Sequence, residues 1–361
     1  MQLSPTLAFL VDAAAEASGP EVFLAELGRL LIEDGAPLAG GALSLAAPHP
    51  LIARRTWLWR AGSTQVIEAL GFAPAGPAAP GAPGAAGRRW LEGLGGGPVH
   101  EDAVQPNPGG PWLGWIGPRR FTPEEAERLS EAARFAAAPL AALTARAATA
   151  GTLEAYLGRR SAARVLAGPL RRGAGETIQA ALLFADLRGF TALSETSPPA
   201  AVIAALNDWF DRIAGAVHAF GGEVLKFIGD GVLAIFPVAG GSHRAACDAA
   251  LSAVAAARAG MAHLDEARRR RDEPPLPFGV ALHLGEILWG NVGAADRLDF
   301  TAIGPAVNLV SRLQDLCRPL GQTVLVSGAF AAEAGAPLVP LGEQALRGVA
   351  SPCAVFTLAE G

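Results

Sequence analysis

The sequence predicts an α+β protein whose C-terminal half takes a ferredoxin-like βαββαβ arrangement. Three observations carry this expectation. From Glu176 onward, strand-like apolar runs alternate with long helical patterns. A single tight hairpin signal, Gly229-Asp230-Gly231, separates two of those runs. The chain of 361 residues is 51% hydrophobic and 17% charged, which suits two packed domains and a connector. The expected division is 1–121 for a small α+β domain, 122–175 for a helical connector and 176–361 for the βαββαβ domain.

In the first domain, Ser18 and Pro20 open a helix whose apolar face is Phe23, Leu27, Leu30 and Leu31. Strands are expected at Ala42 to Leu45 and Arg55 to Arg60. The Pro/Gly/Ala stretch from Ala73 to Gly87 has too little large apolar surface to offset the entropy of ordering, so a loop is expected there. Five of the seven tryptophans (Trp57, Trp59, Trp90, Trp112 and Trp115) fall in this domain and read as core, with an aromatic-lined pocket as the alternative. His49, between two prolines, reads as a turn residue. A GAF-like or other small sensory fold is expected, taking a small-molecule or protein signal.

The connector opens with Thr122-Pro123-Glu124-Glu125, where threonine caps, proline takes the first helical position and Glu125 completes a capping box. Pro139 is placed to kink the helix that follows. Beyond it come a strand (Ile178 to Ala185), a helix (Pro198 to Phe220), the hairpin and a helix (His243 to Arg271). A strand (Phe278 to Leu284), a helix (Pro305 to Cys317) and strands at Thr323 to Val326, Leu341 to Leu346 and Ala354 to Leu358 complete the domain. The helices are expected to cover one face of the sheet and leave the other to substrate.

Composition narrows the function classes. A net charge of −5 and an isoelectric point near 5.7 give no electrostatic footprint for nucleic acid. Three widely spaced cysteines form no Cys-x-x-Cys pair, which argues against a disulfide framework and a thiolate zinc site. The first residues lack the basic start of a signal peptide, and the two long uncharged stretches are broken by proline and glycine. A cytoplasmic protein without an integral membrane segment is expected.

Asp186 and Asp230 each lie where a strand-like run meets glycine. Two carboxylates converging from adjacent strands can hold hard divalent cations against phosphate oxygens. Taken singly, Asp186 reads equally as a turn cap and Asp230 as a hairpin residue. The combination is more specific. Phe184-x-Asp186-x-x-Gly189-Phe190-Thr191, Lys226-x-x-Gly229-Asp230-Gly231, Gly290-Asn291-x-Gly293 and Phe300-Thr301-x-x-Gly304-x-x-Val307-Asn308-x-x-x-Arg312 occur in order. Together they resemble the class III nucleotidyl cyclases, over roughly Glu176 to Leu358.

The resemblance implies that Asp186 and Asp230 bind two Mg²⁺ or Mn²⁺ ions and that the Gly189-Phe190-Thr191 turn cradles phosphates. It implies that Asn308 orients the ribose and that Arg312 neutralises charge on the α-phosphate, the two lying four apart on one helix face. Arg347 is implied at the terminal phosphates, with an exposed strand charge as the alternative. Lys226 and Thr301 stand at the base-reading positions and favour ATP, whereas guanylate cyclases usually carry glutamate and cysteine there. Pro305 departs from the aspartate of many members. Because each motif occurs once, the resemblance implies a homodimer with shared sites. The expected activity is an adenylate cyclase, with a guanylate cyclase or a catalytically silent nucleotide-binding module as alternatives.

Overall fold

A computed structural model describes residues 3–47, 52–72, 84–104, 110–169, 171–349 and 351–359. The chain divides into two compact units, Met1–Ala155 and Tyr156–Gly361. Among the described residues, no helix is long and apolar enough to cross a membrane.

The first unit contains α1 (Pro5–Asp12), α2 (Pro20–Glu33), β1 (Gly40–Ala46), β2 (Ile52–Arg60), β3 (Val66–Phe72), α3 (Ala85–Glu92), β4 (His100–Ala103), β5 (Trp112–Ile116), α4 (Pro123–Phe135) and most of α5 (Ala137–Leu157). Its five strands form an antiparallel sheet in the order β3-β2-β1-β5-β4. Alternate residues serve opposite faces. Leu43, Trp57, Trp59 and Trp115 pack with Phe23 and Leu27 of α2, while Ala42, Leu58 and Trp112 pack with Leu91 of α3. Four of the five tryptophans are buried and Trp90 packs against the second cluster, so the rings fill core. His49 and residues 73–83 lie outside the described residues. From Ala85 the expected loop is helix α3 instead, because Leu91 and Gly87 find a buried place beside Trp112.

The expected connector does not stand apart from the two units. The Thr122 capping box forms, with the Thr122 hydroxyl accepting from Glu125 N–H at 3.2 Å and the Glu125 carboxylate accepting from Thr122 N–H at 2.8 Å. Leu129, Ala132 and Ala133 of α4, and Leu140 and Leu143 of α5, then join the first unit's core. Alanine-rich faces bury well while giving only a weak apolar stripe, which is why the sequence read these helices as a connector and not as part of the first unit's core. Pro139 lacks an N–H for the Phe135 carbonyl, and the helix is interrupted at Ala136, between α4 and α5.

The second unit begins with α6 (Arg159–Ala167), whose N-terminus is capped by buried Glu223, accepting from Ser161 N–H at 2.9 Å. There follow β6 (Gly175–Leu187), α7 (Phe190–Thr196), α8 (Pro199–Ala219), β7 (Glu223–Ile228), β8 (Gly231–Pro237), α9 (His243–Arg269), β9 (Phe278–Gly293), β10 (Leu298–Ile303), α10 (Pro305–Asp315), β11 (Val324–Ser327), α11 (Gly328–Ala331), β12 (Leu338–Gln344) and β13 (Cys353–Leu358). The strand order is β12-β13-β11-β9-β6-β8-β7, with β10 paired to β9. The segment β9-β6-β8-β7 is the antiparallel ferredoxin-like arrangement.

Both faces of this sheet are covered, which corrects the expectation of an open face. On β6, Ala181, Leu183, Ala185 and Leu187 face α8 and α9, whereas Ala180 and Leu182 pack with Val310 and Leu313 of α10. The second cluster also contains Trp289, Phe300 and Ala302 of the β9–β10 hairpin together with Leu225, Leu233 and Ile235 of β7 and β8. The hairpin therefore rolls over the α10 face toward the far edge of the sheet. A strand buried on both faces reads as an unbroken apolar run, and that is why β6 gave no alternation to show which face was covered.

Candidate active site

Asp186 is the penultimate residue of β6, and its alternation places it on the α10 face. Asp230 is the second residue of the two-residue turn joining β7 to β8. The positive φ of that turn, 63°, falls on Gly229, as a type II′ hairpin requires. Trp209 of α8 fixes the turn by donating from its indole N–H to the Asp230 carbonyl at 2.8 Å. This fully buried ring also packs on Phe278, with centroids 5.3 Å apart.

The two carboxyl groups are close enough to disturb each other. Burial, followed by hydrogen bonding with and repulsion from Asp230, pushes Asp186 up to about 7, with the charge of Asp315 adding a smaller push the same way. Asp186 Oδ1 is buried without a hydrogen-bond partner. A buried oxygen of this kind costs free energy unless a cation or proton satisfies it. Among the described residues no cluster of three or more His, Cys, Asp or Glu side chains surrounds a metal position. Two carboxylates with room for oxygens from elsewhere match the habit of Mg²⁺, which is usually held by one or two protein carboxylates plus substrate phosphates. The residues fit divalent cations.

Gly189, Phe190 and Thr191 follow at once, with Gly189 before α7 and the other two in its first turn. Thr191 is exposed and the first-turn N–H groups have no intrahelical partners.

The other site residues form a second group. Lys226 follows a register shift in β7 between Val224 and Lys226, which sets it level with Leu233. Its Nζ lies 2.5 Å from Asp299 Oδ2 on β10. Thr301, two residues beyond Asp299 and on the same strand face, is buried. Asn308 and Arg312 are exposed, one turn apart on α10, and Pro305 opens that helix as expected. Arg312 Nη1 approaches Asp315 at 3.4 Å. Arg347 is exposed in the turn after β12 rather than in a strand, because β12 ends at Gln344.

Sequence reasoning missed Asp299, Trp209 and the turn's dependence on α8. Asp299 could have been noticed from its two-residue spacing before Thr301; Trp209 carried no local signal.

Residues 174–332 match the family model of the adenylate and guanylate cyclase catalytic domain. An adenylate cyclase of Anabaena cylindrica is 31% identical over 159 residues, covering 43% of this chain and 30% of that protein. Adenylate cyclase 1 of Rhizobium meliloti is 36% identical over 154 residues, covering 42% and 23% respectively. The chain thus spans less than a third of these curated relatives. Among solved structures, the adenylyl cyclase CyaB from P. aeruginosa is 27% identical, covering 52% of this chain and 96% of that one, with a TM-score of 0.47. The second unit carries a class III nucleotidyl cyclase catalytic domain.

Proposed function

We propose that this protein is an adenylate cyclase, converting ATP to 3′,5′-cyclic AMP and pyrophosphate as a head-to-tail homodimer governed by its first unit. The observation that carries the reading is the buried, unpartnered Asp186 oxygen beside Asp230, a site that a divalent cation shared with substrate phosphates would satisfy. Two divalent ions held there would neutralise the triphosphate and make the ribose 3′-hydroxyl easier to ionise.

The remaining steps belong to side chains of the chain itself. The 3′-oxygen forms a bond to the α-phosphorus as the bond from that phosphorus to the bridging oxygen breaks, and the hydroxyl proton leaves to solvent. Arg312 donates to the α-phosphate, where charge develops, and Asn308 holds the ribose. Lys226 donates to the acceptor nitrogen of the adenine edge. Asp299, already beside Lys226, offers an acceptor for the exocyclic amine, where guanine presents a carbonyl.

Lys226 is engaged with Asp299 at the rolled hairpin, while Asp186 and Asp230 face each other at the β6 end and β7–β8 turn. With one copy of each group per chain, two chains facing each other would complete two equivalent sites. The test is cyclic AMP formation from ATP with Mg²⁺ or Mn²⁺, run against GTP in competition. No product from either nucleotide with either metal would end the enzymatic reading. Mixing Asp186→Ala with Arg312→Ala chains should recover about a quarter of the parental sites if the sites are shared.

A further inference from the structure

Arg188 stands two residues after Asp186, in the turn between β6 and α7, and has no part in the chemistry above. Its backbone N–H donates to the Pro277 carbonyl at 2.7 Å, just before β9. Its Nη2 donates to the Cys317 carbonyl at 3.2 Å and also to the Gln322 carbonyl. These two acceptors bracket the turn that closes α10, and Gln322 N–H itself donates to the Cys317 carbonyl at 2.9 Å. Arg188 Nε is buried without a hydrogen-bond partner, so the guanidinium is inserted into the protein rather than lying on its surface.

The position is chemically apt. Cys317 lies two residues past the end of α10 at Asp315, where the negative end of the helix dipole still favours a cation. Both bonds are made by Nη2, so a permanently charged guanidinium reaching across from the β6–α7 turn ties that turn to the two carbonyls that close the turn after α10. One side chain therefore clamps the turn carrying Asp186 and Gly189 to the base of the helix carrying Asn308 and Arg312.

In a dimer with shared sites those two structures serve different active sites. Resting on that reading, we propose that Arg188 is a positioning residue that fixes both half-sites of a protomer in one geometry and so couples the two composite sites. Movement of the metal-binding turn when one site fills would be passed through the guanidinium to α10, and from there to the other site.

The test uses full-length chains and the complementing pair. A mixture of Asp186→Ala and Arg312→Ala chains has one intact site per heterodimer. Arg188→Gln placed in the Arg312→Ala chain disturbs the turn that supplies Asp186; placed in the Asp186→Ala chain, it disturbs only the helix that supplies Arg312. The clamp predicts a loss in kcat of roughly ten- to a hundredfold in both placements, with Arg188→Lys recovering part of it. No loss in the second placement overturns the proposal.

Hydrogen exchange on the full-length Arg188→Gln and Arg188→Lys chains, without nucleotide, gives an independent answer. Faster exchange is expected both in Phe190–Leu193 and in Leu309–Leu313, and acceleration in the first segment alone overturns the clamp. If the unmodified complementing pair is inactive, the shared-site reading fails, while the exchange result still decides whether Arg188 joins the two segments.

Discussion

The two halves of the candidate site are built on opposite principles. In the Asp186–Asp230 half, burial and the neighbouring Asp230 raise Asp186 well above the ordinary carboxylate range, and its Oδ1 lacks a partner. In the Lys226–Thr301–Asn308–Arg312 half, Lys226 and Arg312 already have same-chain carboxylate partners, and Asn308 and Arg312 stand in solvent. The first carries a cost that a bound cation would relieve. The second holds its donors at little cost, and under the proposed shared-site reading they would gain strength once substrate and a second chain exclude water. Thr301 is the buried member of the second group, so what separates the two is a carboxylate oxygen without a partner on one side and side chains that are paired or exposed on the other.

The largest effect is expected at the paired carboxylates. Asp186→Ala or Asp230→Ala should lower cyclic AMP formation by roughly a thousandfold or more at saturating Mg²⁺. The same substitution should leave the chain folded by circular dichroism, since it removes a cost as well as a ligand; activity within tenfold of the parent would show that these carboxylates do not hold the reacting metal. At the exposed half, Arg312→Ala should cost on the order of a hundredfold in kcat with a smaller change in KM, because its partner charge develops late. A rise in KM alone would make Arg312 a binding group.

His283 tests the burial argument away from the site. This buried ring, bonded to Ser327 through Nδ1 at 2.8 Å, is pulled down to about 4 by desolvation. Its folded value lies below its unfolded value of 6.5, so the unfolded chain binds more protons between them. Stability from the neutral ring is therefore present above pH 6.5 and lost as pH falls toward 4, by about 2 kcal/mol at pH 5. Denaturant titration from pH 7 to 5 should show that slope, and His283→Gln should flatten it.

The smallest effect is expected at the solvated ion pair. Asp299→Asn keeps the shape and removes the charge beside Lys226, and should reduce the preference for ATP over GTP by about tenfold in kcat/KM. An unchanged ratio would leave Asp299 as a structural tie between β7 and β10.

Much of the fold and of the candidate site is legible in the amino-acid sequence. The hairpin around Asp230, the helix opened by Pro305 and the strand that carries Asp186 next to its end are set by local chemistry: glycine at a positive φ, proline at a helix start, an apolar run meeting a charge. Tertiary structure decided the rest. Helices α4 and α5 joined the first unit because small residues at Ala132, Ala133 and Ala136 pack closely, a fact invisible to an apolar-stripe count. Whether a sheet face is open depends on what folds over it, and the roll of the β9–β10 hairpin placed Asp299 against Lys226 across 73 residues of chain. The sequence by itself determined the kinds of chemical group present and their local posture, since those follow from backbone and side-chain chemistry over a few residues. Only the fold decided which groups are desolvated and which partners they keep, because dielectric environment and long-range contact are properties of the packed whole.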